Sequence, residues 1–143
     1  MKAPAFWSDP RAPAGRLLAP LGAAVGALTL ARMARPGIRA SVPVICIGKP
    51  NPALVKDLSI LVVDGAAGLG NGHVLPAGPL RAPFRPQLAR ADALLVVGEG
   101  EAGERLAALA AEAGRPVLRG RLVVEPDTAA WLAGRDVLAF CGI

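Results

Sequence analysis

Five short apolar runs in residues 42–143 constrain the fold of this chain more than any other feature of its sequence. The first is VPVICIG at residues 42–48, and the others lie at residues 58–65, 91–98, 115–124 and 135–143. The stretch EGEAGERLAALAAEAG after the third run begins with acids and ends at a glycine, which is typical of a helix. Apolar strands alternating with helices predict an α/β fold with a buried parallel sheet and right-handed crossovers.

Two shorter helices complete this prediction, one near residues 87–90 and one that Asp127 would cap at its start. The chain has 143 residues, which suggests one domain, and it is 53% hydrophobic but only 3% aromatic. Alanine, leucine, valine and glycine must therefore supply the packing, which suits buried strands and closely packed helices. The 17 glycines and 14 prolines stand mostly between the apolar runs, where they indicate turns.

The basic charge of this chain is confined to its N-terminal segment. Residues 1–39 contain six basic residues and one acid, Asp9, while residues 40–143 contain ten of each. The net charge of +5 therefore belongs to the first 39 residues alone. A nucleic-acid-binding protein usually carries a basic face with stacking aromatic residues along its body. This sequence lacks that pattern, so we expect no nucleic-acid partner.

Between Arg16 and Arg32 lies an uncharged run of fifteen residues, LLAPLGAAVGALTLA. It is shorter than the roughly 20 residues that span a bilayer core, and its flanks do not resemble those of a signal peptide. The residues alone leave two interpretations open. The run forms either a membrane-surface helix, attracted to acidic headgroups by its flanking arginines, or a buried core helix with charged ends. Leu17, Leu21, Val25 and Leu28 can share one helical face.

Several residues could carry chemistry, and each has a structural interpretation that we prefer. Asp64 ends an apolar run, as a Mg²⁺-ordering carboxylate would, but an Asp-Gly turn explains it as well. GLGNG at residues 68–72 lacks the helix that follows a dinucleotide loop, so we expect a mobile loop that contains a solvated His73. Three glutamates near the start of the predicted helix that follows the third apolar run suit a helix N-terminus through its dipole; they are Glu99, Glu101 and Glu104.

The pair Gly48-Lys49 follows the first strand as it would in a phosphate-binding loop. Pro50 and Pro52 come next, and proline lacks the backbone N–H that such a loop directs at phosphates. The two cysteines, Cys46 and Cys141, lie in predicted strands without a neighbouring metal-ligand cluster. Buried thiols of this kind favour a reducing compartment.

Residues 51–83 read NPALVKDLSILVVDGAAGLGNGHVLPAGPLRAP. This stretch resembles, nearly throughout, the tetraacyldisaccharide 4'-kinase family of lipid A biosynthesis, and KDLSI, VVDG, GNG and LPAGPLR are its most specific parts. APAFW near the start, VPVICIG, ARADALLVVGEG and LAGRDVLAFCGI resemble further parts of the family. Ala82 departs from the family pattern, in which an acidic residue usually follows the arginine that Arg81 resembles. The resemblance implies a P-loop-kinase-like (Rossmann-like) parallel α/β fold with an N-terminal apolar helix.

The resemblance also implies that an internal block is missing. In the family, the strand matching VPVICIG leads into a glycine-rich phosphate loop that ends Gly-Lys-Thr, and an Asp-Asp-Gly motif follows several dozen residues later. This chain passes from Gly48-Lys49-Pro50 directly to Asn51, so Lys49 is not the equivalent of the loop lysine. The family also continues past LAFCGI into a second domain. We therefore expect an internally deleted and C-terminally truncated member, with residues 1–40 as a membrane-proximal helix and residues 41–143 as a partial kinase domain.

The family transfers the γ-phosphate of ATP to the 4' position of a tetraacyldisaccharide 1-phosphate, with Mg²⁺, at the cytoplasmic face of the bacterial inner membrane. We expect this chain to be inactive, to bind neither ATP nor Mg²⁺, and to have no catalytic, cofactor-binding or metal-binding residue. The alternative is a non-enzymatic membrane-surface or lipid-binding module that keeps GNGHVLPAGPLR. A weaker alternative is an unrelated α/β transferase.

The partners implied are an acidic membrane surface, bound peripherally, and the lipid A disaccharide precursor. Loss of a strand–helix block would uncover apolar sheet and helix surface, which predicts low solubility or self-association. The sequence leaves the oligomeric state open.

Overall fold

A parallel sheet forms the centre of the computed structural model, which describes residues 3–48 and 55–136. Its four strands lie in the order β1-β2-β3-β4, and every neighbouring pair is parallel. The strands are β1 (Ile45–Ile47), β2 (Leu58–Asp64), β3 (Ala93–Val97) and β4 (Val117–Gly120). The predicted α/β class with a parallel sheet is confirmed. Most of the predicted fifth strand, residues 137–143, lies outside the described residues.

Four α-helices and one 3-10 helix accompany the described sheet. They are the 3-10 helix (Ala5–Trp7), α1 (Pro13–Met33), α2 (Phe84–Ala89), α3 (Glu101–Glu112) and α4 (Pro126–Leu132). The predicted helical turn at residues 87–90 belongs to α2, which begins three residues earlier. Asp127 lies inside the first turn of α4 and does not precede it. The helix begins at Pro126 because proline suits the first helical position.

One face of the sheet carries the core. Register pairs Leu61 with Leu94 and Val63 with Val96, so these four side chains point to the same side, where all four are buried. They pack against α2, α3 and the chain around them in a single cluster. The helical members of that cluster are Phe84, Leu88, Leu106, Ala107 and Ala110.

The opposite face, which we call the open sheet face, consists of the apolar side chains that alternate with the core residues. Among the described residues they are Ile45, Ile47, Leu58, Ile60, Val62, Leu95, Val97 and Leu118. Four of these eight are exposed and four are half-buried. The register places buried Ala93 and exposed Asp64 on the same side. Uncovered apolar sheet surface was predicted from the missing block, and the described residues leave such a surface.

Helix α1 is longer than the uncharged run from which the sequence predicted it. It has 21 residues and includes Arg16 and Arg32, so it extends for about 31 Å. The helical segment is therefore longer than the uncharged residues 17–31, and the prediction that it is too short to span a membrane was wrong. By length and composition α1 could cross a membrane, a test that core helices and signal sequences also pass.

A row of small residues on α1 faces the rest of the protein. The buried residues of α1 are Gly15, Gly22, Gly26 and Met33, and the three glycines form this row. A Cβ atom built at Gly22 would lie 2.7 Å from the Val74 carbonyl oxygen, closer than real Cβ atoms come. Only glycine lets the helix approach the loop between β2 and α2, which contains Val74, at this point. The division into a membrane-proximal helix (residues 1–40) and a partial kinase domain (residues 41–143) stays a prediction.

Candidate functional site

The carboxyl edge of the sheet is where a nucleotide would bind in this class of fold. A glycine stands at the end of each described strand: Gly48 after β1, Gly65 after β2, Gly98 after β3 and Gly120 as the last residue of β4. Gly48 has a φ of 113°, which favours glycine. Lys49, Pro50 and Pro52 follow it and lie outside the described residues.

Asp64 ends β2 at this edge, and its carboxylate serves a turn. Its Oδ1 accepts hydrogen bonds from the backbone N–H of Ala66 at 2.9 Å and of Ala67 at 2.7 Å. The Asp-Gly turn that the sequence favoured is therefore confirmed. Within residues 3–48 and 55–136, no group of three or more histidine, cysteine, aspartate or glutamate residues could hold a metal ion. In the described part of this edge, the Asp64 carboxylate is bonded to the turn.

The glutamates at the start of α3 likewise have structural partners. The two carboxylate oxygens of Glu104 accept hydrogen bonds from Nη1 and Nη2 of Arg119 on β4, at 2.5 and 2.8 Å. This hydrogen bonding, with the attraction of the guanidinium charge, lowers the pKa of Glu104, and it raises the pKa of Arg119. Glu101 pairs with Arg105 one turn later, at 3.4 Å. These contacts connect α3 to β4 and stabilise the helix start without a ligand.

The loop between β2 and α2, which the sequence suggested to be mobile, is held by a network of hydrogen bonds. Its centre is Asn71, a buried residue whose role the sequence analysis missed. The Asn71 Nδ2 donates to the carbonyls of Ala77, at 2.8 Å, and of Phe6, at 3.1 Å, while its Oδ1 accepts from the N–H of His73. The motif GNG was the available signal, since it places an asparagine between glycines that let the backbone turn around it.

The N-terminal segment is attached to this loop. The backbone N–H of Asn71 donates to the carbonyl of Trp7 at 2.6 Å, and the indole Nε1 of Trp7 donates to the carbonyl of Pro76 at 3.2 Å. At the other end of α1, the guanidinium of Arg90 donates to the carbonyl of Met33. Both ends of α1 are thus bound to the same body, which fixes the helix along the protein surface.

A groove of about 680 Å³ lies between α1, the loop and the ends of α2 and α3. Its walls are largely apolar; they include Gly22, Gly26 and Leu30 from α1, Val74 from the loop, Phe84 from α2 and Leu109 from α3. His73 and Arg85 add polar groups to the lining. His73 is half-buried there, so it is not the fully solvated loop histidine that the sequence favoured.

The outer side of α1 is apolar as well. Leu17, Leu21 and Leu28 are 82%, 54% and 55% exposed, and Val25 is half-buried. The face predicted from their spacing therefore exists and points mostly to solvent. With a glycine face against the protein and a leucine face outside, α1 is only partly buried, and its binding to a membrane surface stays a prediction. The groove on the inner side of α1 has a volume in the range of small-molecule sites, with apolar walls and few polar groups, and therefore suits an apolar ligand.

Comparison with known proteins connects these features to a family. The family model of tetraacyldisaccharide-1-P 4'-kinases matches residues 50–143 of this chain. No solved structure gives a significant match.

Curated relatives carry the same name, tetraacyldisaccharide 4'-kinase. The one from Xanthobacter autotrophicus is 36% identical over 237 residues, which take in all of this chain and 69% of the relative. The one from Azorhizobium caulinodans is 35% identical over 235 residues, 99% of this chain and 70% of the relative. A Bradyrhizobium relative is 60% identical over 104 residues, which are 73% of this chain and only 30% of the relative.

The lengths of these alignments are unequal in an informative way. The alignment with the Xanthobacter autotrophicus relative extends over 237 residues although this chain has 143, so about 94 positions of that relative have no counterpart here. The higher identity of the shorter alignment shows that the matching part itself is closely related. The parallel α/β sheet is consistent with the P-loop-kinase-like fold expected from the resemblance. By its family-model match and its relatives, this chain belongs to the tetraacyldisaccharide 4'-kinase family.

Proposed function

We propose that this chain keeps the lipid-facing side of a lipid A 4'-kinase and has lost the phosphoryl-transfer side. It binds the acidic cytoplasmic face of the bacterial inner membrane peripherally and holds lipid in the groove behind α1, but it does not phosphorylate. The observation that carries the proposal is α1, a helix with its glycine row against the loop and its leucines exposed.

The loss of phosphoryl transfer is supported by the short connection between β1 and β2. Only the residues between Ile47 and Leu58 join these strands, and the family-model match begins at residue 50. We infer that the 94 or so unmatched positions of the relative belong at this junction. A kinase of this kind uses ATP and Mg²⁺, held by a glycine-rich loop with its lysine and by metal-binding carboxylates. We infer that those parts belonged to the missing block.

Peripheral binding, and not a membrane span, is supported by the attachment of α1 at both ends. Trp7 precedes the helix and contacts the loop, while the last turn bonds to Arg90. A spanning helix would carry its two ends to opposite sides of the bilayer, whereas these ends are fixed to one body. The arginines of residues 1–39 would contribute about 1 kcal/mol each near an anionic surface.

The lipid ligand that suits the groove is the tetraacyldisaccharide 1-phosphate, whose acyl chains match its apolar walls. Arg85 is exposed and His73 half-buried in the lining, so either can offer a donor to the anionic headgroup. The name of the matching family provides the identity of this ligand, and the groove provides a place for part of it.

The proposal is tested by sedimentation with vesicles of acidic and of neutral lipid. Replacing Leu17, Leu21 and Leu28 with glutamine removes the exposed apolar face without changing charge. Because each buried leucine contributes about 1.5–3 kcal/mol, we expect at least a hundredfold weaker binding to acidic vesicles. The unchanged protein should bind neutral vesicles much less than acidic ones.

A matched control replaces three other exposed apolar residues with glutamine: Leu122, Val123 and Val124. This variant should bind acidic vesicles as the unchanged chain does. The proposal fails if the leucine variant of α1 still binds normally. It also fails if both variants lose binding equally, since non-specific adsorption of exposed apolar side chains to the vesicles would then explain the result.

A further inference from the structure

The groove on the inner side of α1 has a long wall of small residues. On α1 its lining residues share one helical face, and they are Ala19, Gly22, Ala23, Gly26, Ala27 and Leu30. All but the last are glycine or alanine, so Leu30 is the only large side chain that α1 contributes. Leu30 follows Ala19 by eleven positions, which makes this wall about 16 Å long at about 1.5 Å per residue.

The opposite wall is apolar and belongs to the core of the protein. Val74 from the loop and Phe84 from α2 are both buried. Phe84 is a member of the core cluster, and Leu109 of α3 packs against that cluster. The position of this wall is therefore set by the core, as is usual for preformed sites that take small molecules.

The polar part of the lining is small and basic. Only two of the fifteen lining residues have polar side chains, His73 and Arg85, and none of the fifteen is acidic. Arg85 is exposed, and within residues 3–48 and 55–136 its guanidinium makes no hydrogen bond or ion pair. An arginine stays charged at physiological pH and can donate two parallel hydrogen bonds to one carboxylate. A carboxylate is therefore the group that complements this lining.

Contacts along α1 place Arg85 toward one end of the groove. A Cβ atom built at Gly26 would lie 3.6 Å from Cγ of Pro83, and Arg90 donates to a carbonyl at the end of α1. Arg85 lies between Pro83 and Arg90 in the sequence, so it is near the end of the wall that Leu30 forms. A chain anchored at Arg85 can extend from there along α1 toward the N-terminus of the helix.

We propose that this groove binds one free saturated fatty acid, with its carboxylate at Arg85 and its chain along the small residues of α1. The inference rests on the lipid binding proposed for the same groove and makes the occupant a single chain. A carbon–carbon bond of about 1.5 Å at an angle near 111° advances an extended chain by about 1.25 Å. The wall of about 16 Å therefore matches a chain of about 13 carbons.

Calorimetric titration of the full chain with saturated fatty acids of about 8–16 carbons, without vesicles, tests the length of the site. The affinity should rise about two- to fourfold for each added methylene while the chain fills the groove. It should level off near about 13 carbons, because further carbons extend past the wall.

Two neighbouring alanines of α1 provide a matched pair of variants. Ala23 and Ala24 are both exposed, and only Ala23 lines the groove. Ala23→Phe should weaken the binding of tetradecanoate at least about tenfold, because the ring takes the space of the chain. Ala24→Phe should leave that binding unchanged. If circular dichroism shows that Ala23→Phe unfolds, Ala27→Phe, at the other exposed alanine of the lining, provides the same test.

A second pair of variants tests the carboxylate. Arg85→Gln should lower the affinity for tetradecanoate about two- to fivefold, as expected for an exposed ion pair. It should leave the binding of uncharged monotetradecanoylglycerol unchanged, since that ligand has the same chain without the charge. Arg121→Gln, which removes an exposed arginine outside the lining, should alter neither affinity.

Each other result counts against the fatty-acid site. Heat that does not saturate at any chain length would overturn it, and so would equal losses in Ala23→Phe and Ala24→Phe. Weaker binding in His73→Gln but not in Arg85→Gln would show that the carboxylate is not at Arg85.

Vesicle sedimentation separates this inference from the proposed function. If acidic vesicles bind through the exposed leucines of α1 while tetradecanoate does not bind, the fatty-acid site is wrong and the membrane binding stands. If tetradecanoate binds as described while the leucine variant still sediments normally with vesicles, the fatty-acid site stands and the proposed membrane binding is wrong.

Discussion

The loop side and the carboxyl edge of this molecule differ in how their polar groups are used. Around α1, Asn71 connects Phe6, His73 and Ala77 through one buried amide, and the glycines of the helix fit against the loop. At the carboxyl edge, the acids bond to the turn after β2 and to an arginine of the sheet. The first region encloses a groove, whereas the described part of the second satisfies its own polar groups.

The difference teaches that a groove and a phosphate loop depend on separate structural supports. The groove depends on contacts between residues 5–33 and residues 69–90, which the chain retains. A phosphate loop depends on the connection after β1, where only ten residues lie between Ile47 and Leu58 in this chain. The proposed function therefore assigns the loss of phosphoryl transfer to that connection and lipid binding to the groove.

The largest expected effect is the absence of nucleotide binding. Mg-ATP should give no saturable heat in calorimetry, with any dissociation constant above about 1 mM, because proline at positions 50 and 52 cannot donate backbone N–H groups. The intact Xanthobacter autotrophicus relative is the positive control. Micromolar binding that Lys49→Ala abolishes would mean that a phosphate site survives at the edge, and the contrast between the two regions would disappear.

The parts of the fold that follow from local pattern were predictable, and the parts that follow from distant contacts were not. The apolar runs predicted all four described strands, although Leu122, Val123 and Val124 are apolar and yet lie beyond β4. The length of α1 was underestimated because Arg16 and Arg32 continue the helix while breaking the uncharged run. The loop looked mobile from its glycines and prolines, since nothing local shows that Asn71 bonds to Phe6, 65 residues away.

An effect of intermediate size is expected on stability, because two glycines of α1 should respond differently to replacement by alanine. A Cβ at Gly22 would meet the Val74 carbonyl at 2.7 Å, whereas one at Gly26 would meet side chains of Val74 and Pro83 at an ordinary 3.6 Å. Gly22→Ala should therefore lower the free energy of unfolding by about 1–3 kcal/mol. Gly26→Ala should raise it by about 0.5–1 kcal/mol, because alanine favours the helix.

Urea denaturation followed by tryptophan fluorescence measures both variants, since Trp7 contacts the loop. Equal responses of Gly22→Ala and Gly26→Ala would indicate that α1 does not pack tightly on the loop. The support proposed for the groove would then be missing, and the two regions would no longer differ in the way described.

The smallest effect concerns the carboxyl edge and its dependence on pH. Arg119 lowers the pKa of Glu104, so the contact stabilises the fold above the ordinary carboxyl pKa and is lost as pH falls through the lowered value. Arg119→Gln should return the pKa of Glu104 toward its ordinary range and reduce the loss of stability on acidification. Carboxyl chemical shifts followed by NMR titration report the pKa of Glu104 directly, and Arg105→Gln, which removes the neighbouring partner of Glu101, is the control. An unchanged Glu104 titration in Arg119→Gln would show that this pair does not fasten α3 to β4, leaving the start of α3 available to a ligand.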